Sequence, residues 1–297
     1  MENQIRVDCI ECVEQFRALH SPWNTLVEQS IHPQPFLLWE WIFTWWEVYQ
    51  KPDYRLLVLA VYEGDKLLAI APFYIDNSHW MLRGRLRMLG EGENRDDEVV
   101  SHYPDVISLP ESRAVVVSAL VEYLLTHEQD WNIGQFRFML GNSVLSDMQQ
   151  KLSKAFDHYT VSSSNSYAIQ LPDNAEEYVQ SLSKSMRKQF RSRLTRMQNA
   201  GDIEIRSASD FEDPHEALEI LERLHRERWQ DRDSSSIFDS GPFKTFHQTL
   251  LNRLLDKGII DIRVMYHGGE AIAAVHNFNF KQRCYSYQSG FSSQDDK

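Results

Sequence analysis

The chain is short of cysteine, of positive charge and of long apolar runs, and each shortage closes off a class of protein. Three cysteines in 297 residues, Cys9, Cys12 and Cys284, make no disulfide framework and suit a reducing compartment. Cys9 and Cys12 form a C-x-x-C pair, but no second pair and no histidine cluster accompany it, so no zinc site is expected. With 31 basic against 43 acidic residues the formal charge is −12. That balance argues against general binding to DNA or an anionic membrane and leaves any anion site to be local. The most apolar stretch, Phe36 to Trp46, is broken by Glu40 and Thr44 and falls well short of the roughly twenty residues that a membrane span needs. An amino terminus carrying Glu2, Asp8 and Glu11 is no secretory signal, so a cytoplasmic protein is expected. No G-x-S-x-G elbow, P-loop, H-E-x-x-H or dinucleotide fingerprint occurs, and hydrolase, NTPase and Rossmann readings lose their usual support.

What the chain does have is an internal repeat. Residues 56–74 and 260–278 both read as strand, tight turn, strand, with Tyr62 matching Tyr266, Gly64 matching Gly268 and Ala69 matching Ala273. Glycine at the turn supplies the positive φ of a short hairpin, and apolar or β-branched runs supply its strands. Each copy follows an apolar helix, Trp39 to Tyr49 in one case and Phe243 to Leu255 in the other. Duplication predicts two units of mixed β-sheet with interspersed helices, an α/β or α+β architecture, divided at Leu171-Pro172-Asp173-Asn174 into residues 1–172 and 173–297. The first hairpin is followed by about ninety residues of its own unit and the second by about twenty, so the second unit is expected to be roughly seventy residues short, about half of a typical domain.

The remaining elements are expected as follows. Helices fall near 12–29, 36–49, 111–127 and 143–156, with short strands at 86–89, 105–109, 136–140 and 166–171. The second unit opens with one long helix from Ala175 to Asn199, stopped at Gly201. Strand 203–205 follows, then a helix with Asp213 as N-cap and Pro214 in its first turn, a helix over 242–257, the second hairpin and a final strand, Cys284 to Phe291.

Three segments could carry chemistry. Ser183 to Arg196 holds six bases and no acid. On a helix, Tyr178, Leu182, Met186, Phe190, Leu194 and Met197 share one side, while Lys184, Arg187, Lys188 and Arg191 gather opposite. Such a face is either simply solvated or a cradle for phosphate or another polyanion, with Arg187 and Arg191 one turn apart for bidentate contacts. In Leu224 to Trp229, His225 and Trp229 lie one turn apart at the edge of the apolar stripe, His225 as a packing residue or general base and Trp229 as core. In the closing strands, His276, Asn277 and Asn279 face Tyr285, Tyr287 and Gln288 where alternation would call for apolar residues, so this pair either lines a polar cavity or faces solvent. Arg87-Met88-Leu89-Gly90-Glu91-Gly92 spells the R-x-x-G-x-G of an acetyl-CoA pyrophosphate loop. The acids Glu91, Glu93, Asp96, Asp97 and Glu98 around it would repel a pyrophosphate, and the match is set aside.

Six pieces of the chain, in order, resemble the CelD/BcsL-like (BioF2-like) acetyltransferase family of the GNAT superfamily. They are Pro35-Phe36-Leu37-Leu38-Trp39-Glu40-Trp41, Leu86 to Gly90, Tyr103-Pro104-Asp105-Val106, Ser185-Met186-Arg187-Lys188-Gln189, His225 to Trp229 and Tyr285 to Phe291. The resemblance spans nearly the whole chain and implies two GNAT-type domains in tandem, related in architecture to the Fem aminoacyltransferases. It also implies acyl-CoA as co-substrate, with Cys284 to Phe291 as the strand before the cofactor splay and the rest of the cofactor site beyond Lys297. The implied reaction is transfer of an acyl group to an amine of a small molecule or of a cell-envelope or polysaccharide precursor. On that reading His225 or Tyr287 handles the proton, and Arg187, Lys188, Arg191 and Trp229 meet an anionic substrate or cofactor. His276 and Asn277 line the cavity. A Fem-like enzyme would instead take aminoacyl-tRNA on the basic helix, and a non-catalytic scaffold in polysaccharide biosynthesis is the third alternative.

Overall fold

The computed structural model describes residues 4–81, 83–156, 158–230 and 236–292. Strand β1 (Ile5–Ile10) is followed by helices α1 (Val13–Ala18), α2 (His20–Gln29) and α3 (Trp39–Tyr49). The hairpin β2 (Tyr54–Glu63) and β3 (Lys66–Asp76) comes next, then β4 (Arg85–Met88), β5 (Ile107–Ser108), α4 (Arg113–Thr126), β6 (Ile133–Gly134) and α5 (Val144–Leu152). The second half runs α6 (Ala175–Ser181), α7 (Lys184–Ala200), β7 (Ile203–Ser207), α8 (His215–Gln230), α9 (Gly241–Leu254), β8 (Ile260–His267), β9 (Glu270–Phe280) and β10 (Arg283–Phe291). One sheet has the order β1-β2-β3-β4-β6, with β5 on β3; the other has the order β10-β9-β8-β7. The architecture is mixed α/β, two sheets flanked by helices, as expected for GNAT-like domains.

The repeat is deeper in three dimensions than in sequence. β1-β2-β3-β4 and β7-β8-β9-β10 are both all-antiparallel runs in chain order, with helices inserted after the first strand of each. Each hairpin carries a β-bulge at the same place, between Val61 and Tyr62 in one and between Met265 and Tyr266 in the other. The turn glycines Gly64 and Gly268 have φ of 59° and 57°. An arginine stands over each repeated tyrosine, Arg6 over Tyr62 at 4.9 Å and Arg206 over Tyr266 at 5.1 Å.

The equivalent helices α3 and α9 pack on each other. Trp41 meets Phe246 edge-on at 4.9 Å, and Arg253 of α9 donates to Thr44 at 2.5 Å and pairs with Glu47 at 2.7 Å. Glu40, buried inside the aromatic run of α3, accepts from His20 at 2.9 Å and Asn24 at 2.8 Å and pairs with Lys257. Burial alone would push the Glu40 carboxyl up, but its partners Lys257, His20 and Asn24 hold it down at about 2. Among the described residues no helix is long and apolar enough to cross a membrane.

Three expected elements differ. Pairing near 136–140 occurs earlier, Ile133 with Arg85 and Gly134 with Leu86; beyond it the Arg137 N–H goes to Glu91 and Phe138 turns to φ 55°, so no strand can continue. The alternating segment 166–171 forms no strand, and Tyr167, Ile169 and Leu171 stand exposed. The long helix from Ala175 breaks at Leu182, which is extended, and Ser183 caps a new helix by accepting from the Met186 N–H at 3.3 Å. A serine that can bond the backbone locally competes with helix continuation and favours a cap.

Candidate functional site

His225 lies in α8, and both ring nitrogens are engaged. The indole N–H of Trp229 donates to Nε2 at 2.9 Å, which makes Nε2 the lone-pair nitrogen and puts the ring proton on Nδ1, 2.8 Å from the Ser236 hydroxyl. Burial and then Arg228 lower its pKa to about 4. Trp229 is part-buried and is not a core residue. The His225–Trp229 pair therefore ties α8 to the following loop, and its lone pair is already filled.

β10 brings Tyr287 to the junction of the two halves. A bulge between Ser286 and Gln288 takes Tyr287 out of the ladder with β9, a device that re-aims a side chain. Its hydroxyl donates to the Val99 carbonyl of the first half at 2.5 Å and lies 3.3 Å from Nε2 of His247 on α9. Because the tyrosine proton goes to Val99, His247 must carry its own proton on Nε2, leaving Nδ1 as a buried lone pair with no partner. His276 packs against both, with ring centroids 5.5 Å from His247 and 5.6 Å from Tyr287, and neither of its nitrogens has a partner. Trp41 and Phe278 meet Tyr287 edge-on and Phe36 lies tilted against it, closing the cluster. Burial holds His247 neutral, lowers His276 to about 3 and drives Tyr287 well above its ordinary value. Asn277, the neighbour of His276 on β9, pairs with Asp261 and Ser286 on the opposite face of the strand. His276 and Asn277 do not line one cavity.

The basic residues sit elsewhere. α7 packs on α6 and β7, and β7 is the sheet edge opposite β10. Three strand spacings, roughly 14 Å, thus separate β10, which carries Tyr287, from β7, the strand that α7 contacts. Lys188 and Arg191 are exposed; Arg187 is part-buried, donates to the Leu182 carbonyl at 3.1 Å and has a buried Nε without a partner. The residues expected to share one site form three groups.

The R-x-x-G-x-G loop shows why its pattern misleads. The Glu91 side chain itself accepts from the Met88 and Arg137 N–H groups, each at 3.2 Å, so the protein's own carboxyl group fills the backbone donors. Burial raises Glu91 to about 8 against those N–H groups and Arg87. Two further buried acids follow: Glu93, which accepts from the Trp45 indole, and Asp105, which accepts from the Val106 and Leu145 N–H groups; burial raises both to about 7. Sequence reasoning missed His247 and these acids. A lone histidine among Phe243, Phe246, Leu250 and Leu251 on the buried face of α9 was the available signal for the former. A cavity of about 240 Å³ lies in the first half between β1, β2 and the end of α4, lined by Cys9, Arg55, Tyr123, His127 and Trp131 among others, and none of the expected site residues reaches it. Among the described residues no cluster of three or more metal-ligating side chains is present.

Comparison with known proteins agrees with this architecture. No curated protein matches the chain. A crystal structure of a conserved protein of unknown function from Bacteroides thetaiotaomicron superposes with a TM-score of 0.50 at 13% identity, covering 98% of this chain and 82% of that one, a likeness of fold. Residues 184–297, from the start of α7 onward, match the family model described as an acetyltransferase (GNAT) domain, which supports a likeness of that part of the chain to the GNAT superfamily.

Proposed function

We propose that the protein is an N-acyltransferase that moves an acyl group from acyl-CoA to an amine of a small molecule or of a cell-envelope or polysaccharide precursor, built as two GNAT-like units, residues 1–172 and 173–297. The match of residues 184–297 to the acetyltransferase domain carries this reading, and the matching strand order and hairpin bulges of the two halves support the tandem arrangement. The reaction joins the amine nitrogen to the thioester carbonyl carbon and breaks the carbon–sulfur bond; the nitrogen sheds a proton and the sulfur gains one. Tyr287 suits the second of these tasks. Burial keeps this phenol neutral and its O–H donates to the Val99 carbonyl, so it does not act as a base, and it can protonate the sulfur only by leaving that bond. His225, with its lone pair taken by Trp229, serves better to hold α8 to Ser236 than to abstract a proton.

The described residues fit a CoA-type anion in one respect: Arg187 offers a buried, unpartnered Nε beside exposed Lys188 and Arg191. Calorimetric titration with acetyl-CoA tests the proposal. Saturable binding that coenzyme A competes away supports it. Absence of binding at millimolar acetyl-CoA overturns it, and steeply salt-dependent binding of tRNA in its place would favour the Fem-like reading of α7.

A further inference from the structure

We propose that α7 docks the protein on an anionic lipid surface. From Tyr178 to Gly201 the chain has no acid and six bases, Lys184, Arg187, Lys188, Arg191, Arg193 and Arg196, in a protein whose formal charge is −12. On the N-terminal side the nearest acid, Glu177, is bonded by Asn174; on the C-terminal side Asp202 lies just past the end of α7 and Glu204 is paired with Arg206; among the described residues no carboxylate pairs with an α7 base. One stripe of the same helix is apolar and open to solvent: Met186 is 52% exposed, Phe190 42% and Leu194 37%. At 3.6 residues per turn Arg187 and Arg191 flank that stripe on one side and Arg193 on the other.

Apolar side chains in a row between cationic flanks are what a helix lying in a bilayer interface presents, the apolar stripe among acyl chains and the arginine stems reaching out to headgroup phosphates. RNA would satisfy the charges and leave Phe190 and Leu194 in water. A second copy of this helix would cover the stripe but set six bases against six. The net negative charge of the rest of the molecule does not forbid the contact, because it is screened beyond about 10 Å at 0.1 M salt. The inference stands apart from acyl transfer, since it needs only the surface of α7.

The test is co-sedimentation of the whole protein with vesicles of phosphatidylglycerol and phosphatidylcholine, against vesicles of phosphatidylcholine alone. At least tenfold stronger partitioning onto the anionic vesicles is expected, declining as salt rises. Phe190→Ser with Leu194→Ser should cut it about tenfold, and Arg193→Glu with Arg196→Glu should abolish it, with circular dichroism and melting temperature unchanged because all four side chains are on an exposed helix. Equal sedimentation with and without anionic lipid overturns the proposal on the wild-type protein alone. So does anionic binding that the serine pair leaves intact, which would mark a charge-only site, with binding of a homopolymer RNA showing a nucleic-acid ligand.

Discussion

At the scale of single residues, two contacts hold β10 in place, one against α8 and one against the first half. Gly290 lies under α8 so closely that an added Cβ would fall 2.6 Å from the Leu224 carbonyl carbon and closer still to the His225 nitrogen. Both are backbone atoms and neither can rotate away. Gly290→Ala should therefore force α8 off the sheet and cost about 1–3 kcal/mol, the range for overpacking a close contact. A urea midpoint equal to that of the wild type would show that α8 shifts to admit a methyl group without loss of packing. Tyr287→Phe removes the hydroxyl that bridges to Val99 and leaves the ring packing intact, so its stability cost should be near 1 kcal/mol. If Tyr287 also donates the proton to the leaving thiol, turnover should fall far more than stability does. Loss of activity in proportion to the unfolded fraction would reduce Tyr287 to a structural strut.

At the scale of elements, the hairpins and the basic helix make separate predictions. Gly64 and Gly268 occupy the same left-handed turn position, so alanine at either should cost about 1 kcal/mol from backbone strain, by similar amounts if the two turns are true equivalents. For α7, Arg187→Ala with Arg191→Ala should weaken acetyl-CoA binding by about tenfold or more, since charge-assisted hydrogen bonds contribute roughly 1.5–3 kcal/mol each. Helical content should not change; unchanged affinity would return this pair to a solvated face. The hairpins were legible in sequence because their signal is local: a glycine turn between apolar runs, repeated. The bulges were not, since a bulge depends on how two strands register. The break at Leu182 was missed because the apolar stripe continues across it from Tyr178 to Met197, and periodicity does not register a serine cap. Segment 166–171 alternates as a strand should, yet a strand exists only where an edge receives it. Of the candidate site, the residue types were readable and their grouping was not. His225 and Trp229 meet as helical spacing requires, while Tyr287 finds Val99 across 188 residues, a separation no local pattern encodes.

At the scale of the whole molecule, buried ionisable groups, among them the Glu40 carboxylate that pairs with Lys257 across the two halves, make stability depend on pH. Glu91, Glu93 and Asp105 have folded pKa values of about 8, 7 and 7 against ordinary values of 4.5, 4.5 and 3.8. Over the interval between those values the folded state holds protons that the unfolded chain has released, so these three acids make stability fall as pH rises from about 4 toward 8. The buried histidines act oppositely. His225 and His276, at about 4 and 3 folded against 6.5 unfolded, make stability rise with pH until 6.5 and contribute no slope above it, and His247 and His102 shift in the same direction. Glu40, at about 2 against 4.5, loses its contribution as pH falls through that range, and with it the ion pair from Lys257 that ties α3 to the start of the second hairpin. The acid and histidine slopes oppose each other between about 4.5 and 6.5, where a plateau is expected. Above 6.5 only the acids act, so the urea midpoint should drop from pH 6.5 to pH 8.5; below 4.5 the histidines and Glu40 act together, and it should drop again. Glu91→Gln imitates the protonated side chain and should lessen the alkaline fall, while Glu40→Gln should lower the plateau and lessen the acid fall. A midpoint that climbs from pH 6.5 to 8.5 would mean that these buried acids of the first half are ionised in the folded protein. The Glu91 cradle, with its two backbone N–H donors and neighbouring Arg87, would then be holding a full negative charge where the first half of the repeat has its glycine loop.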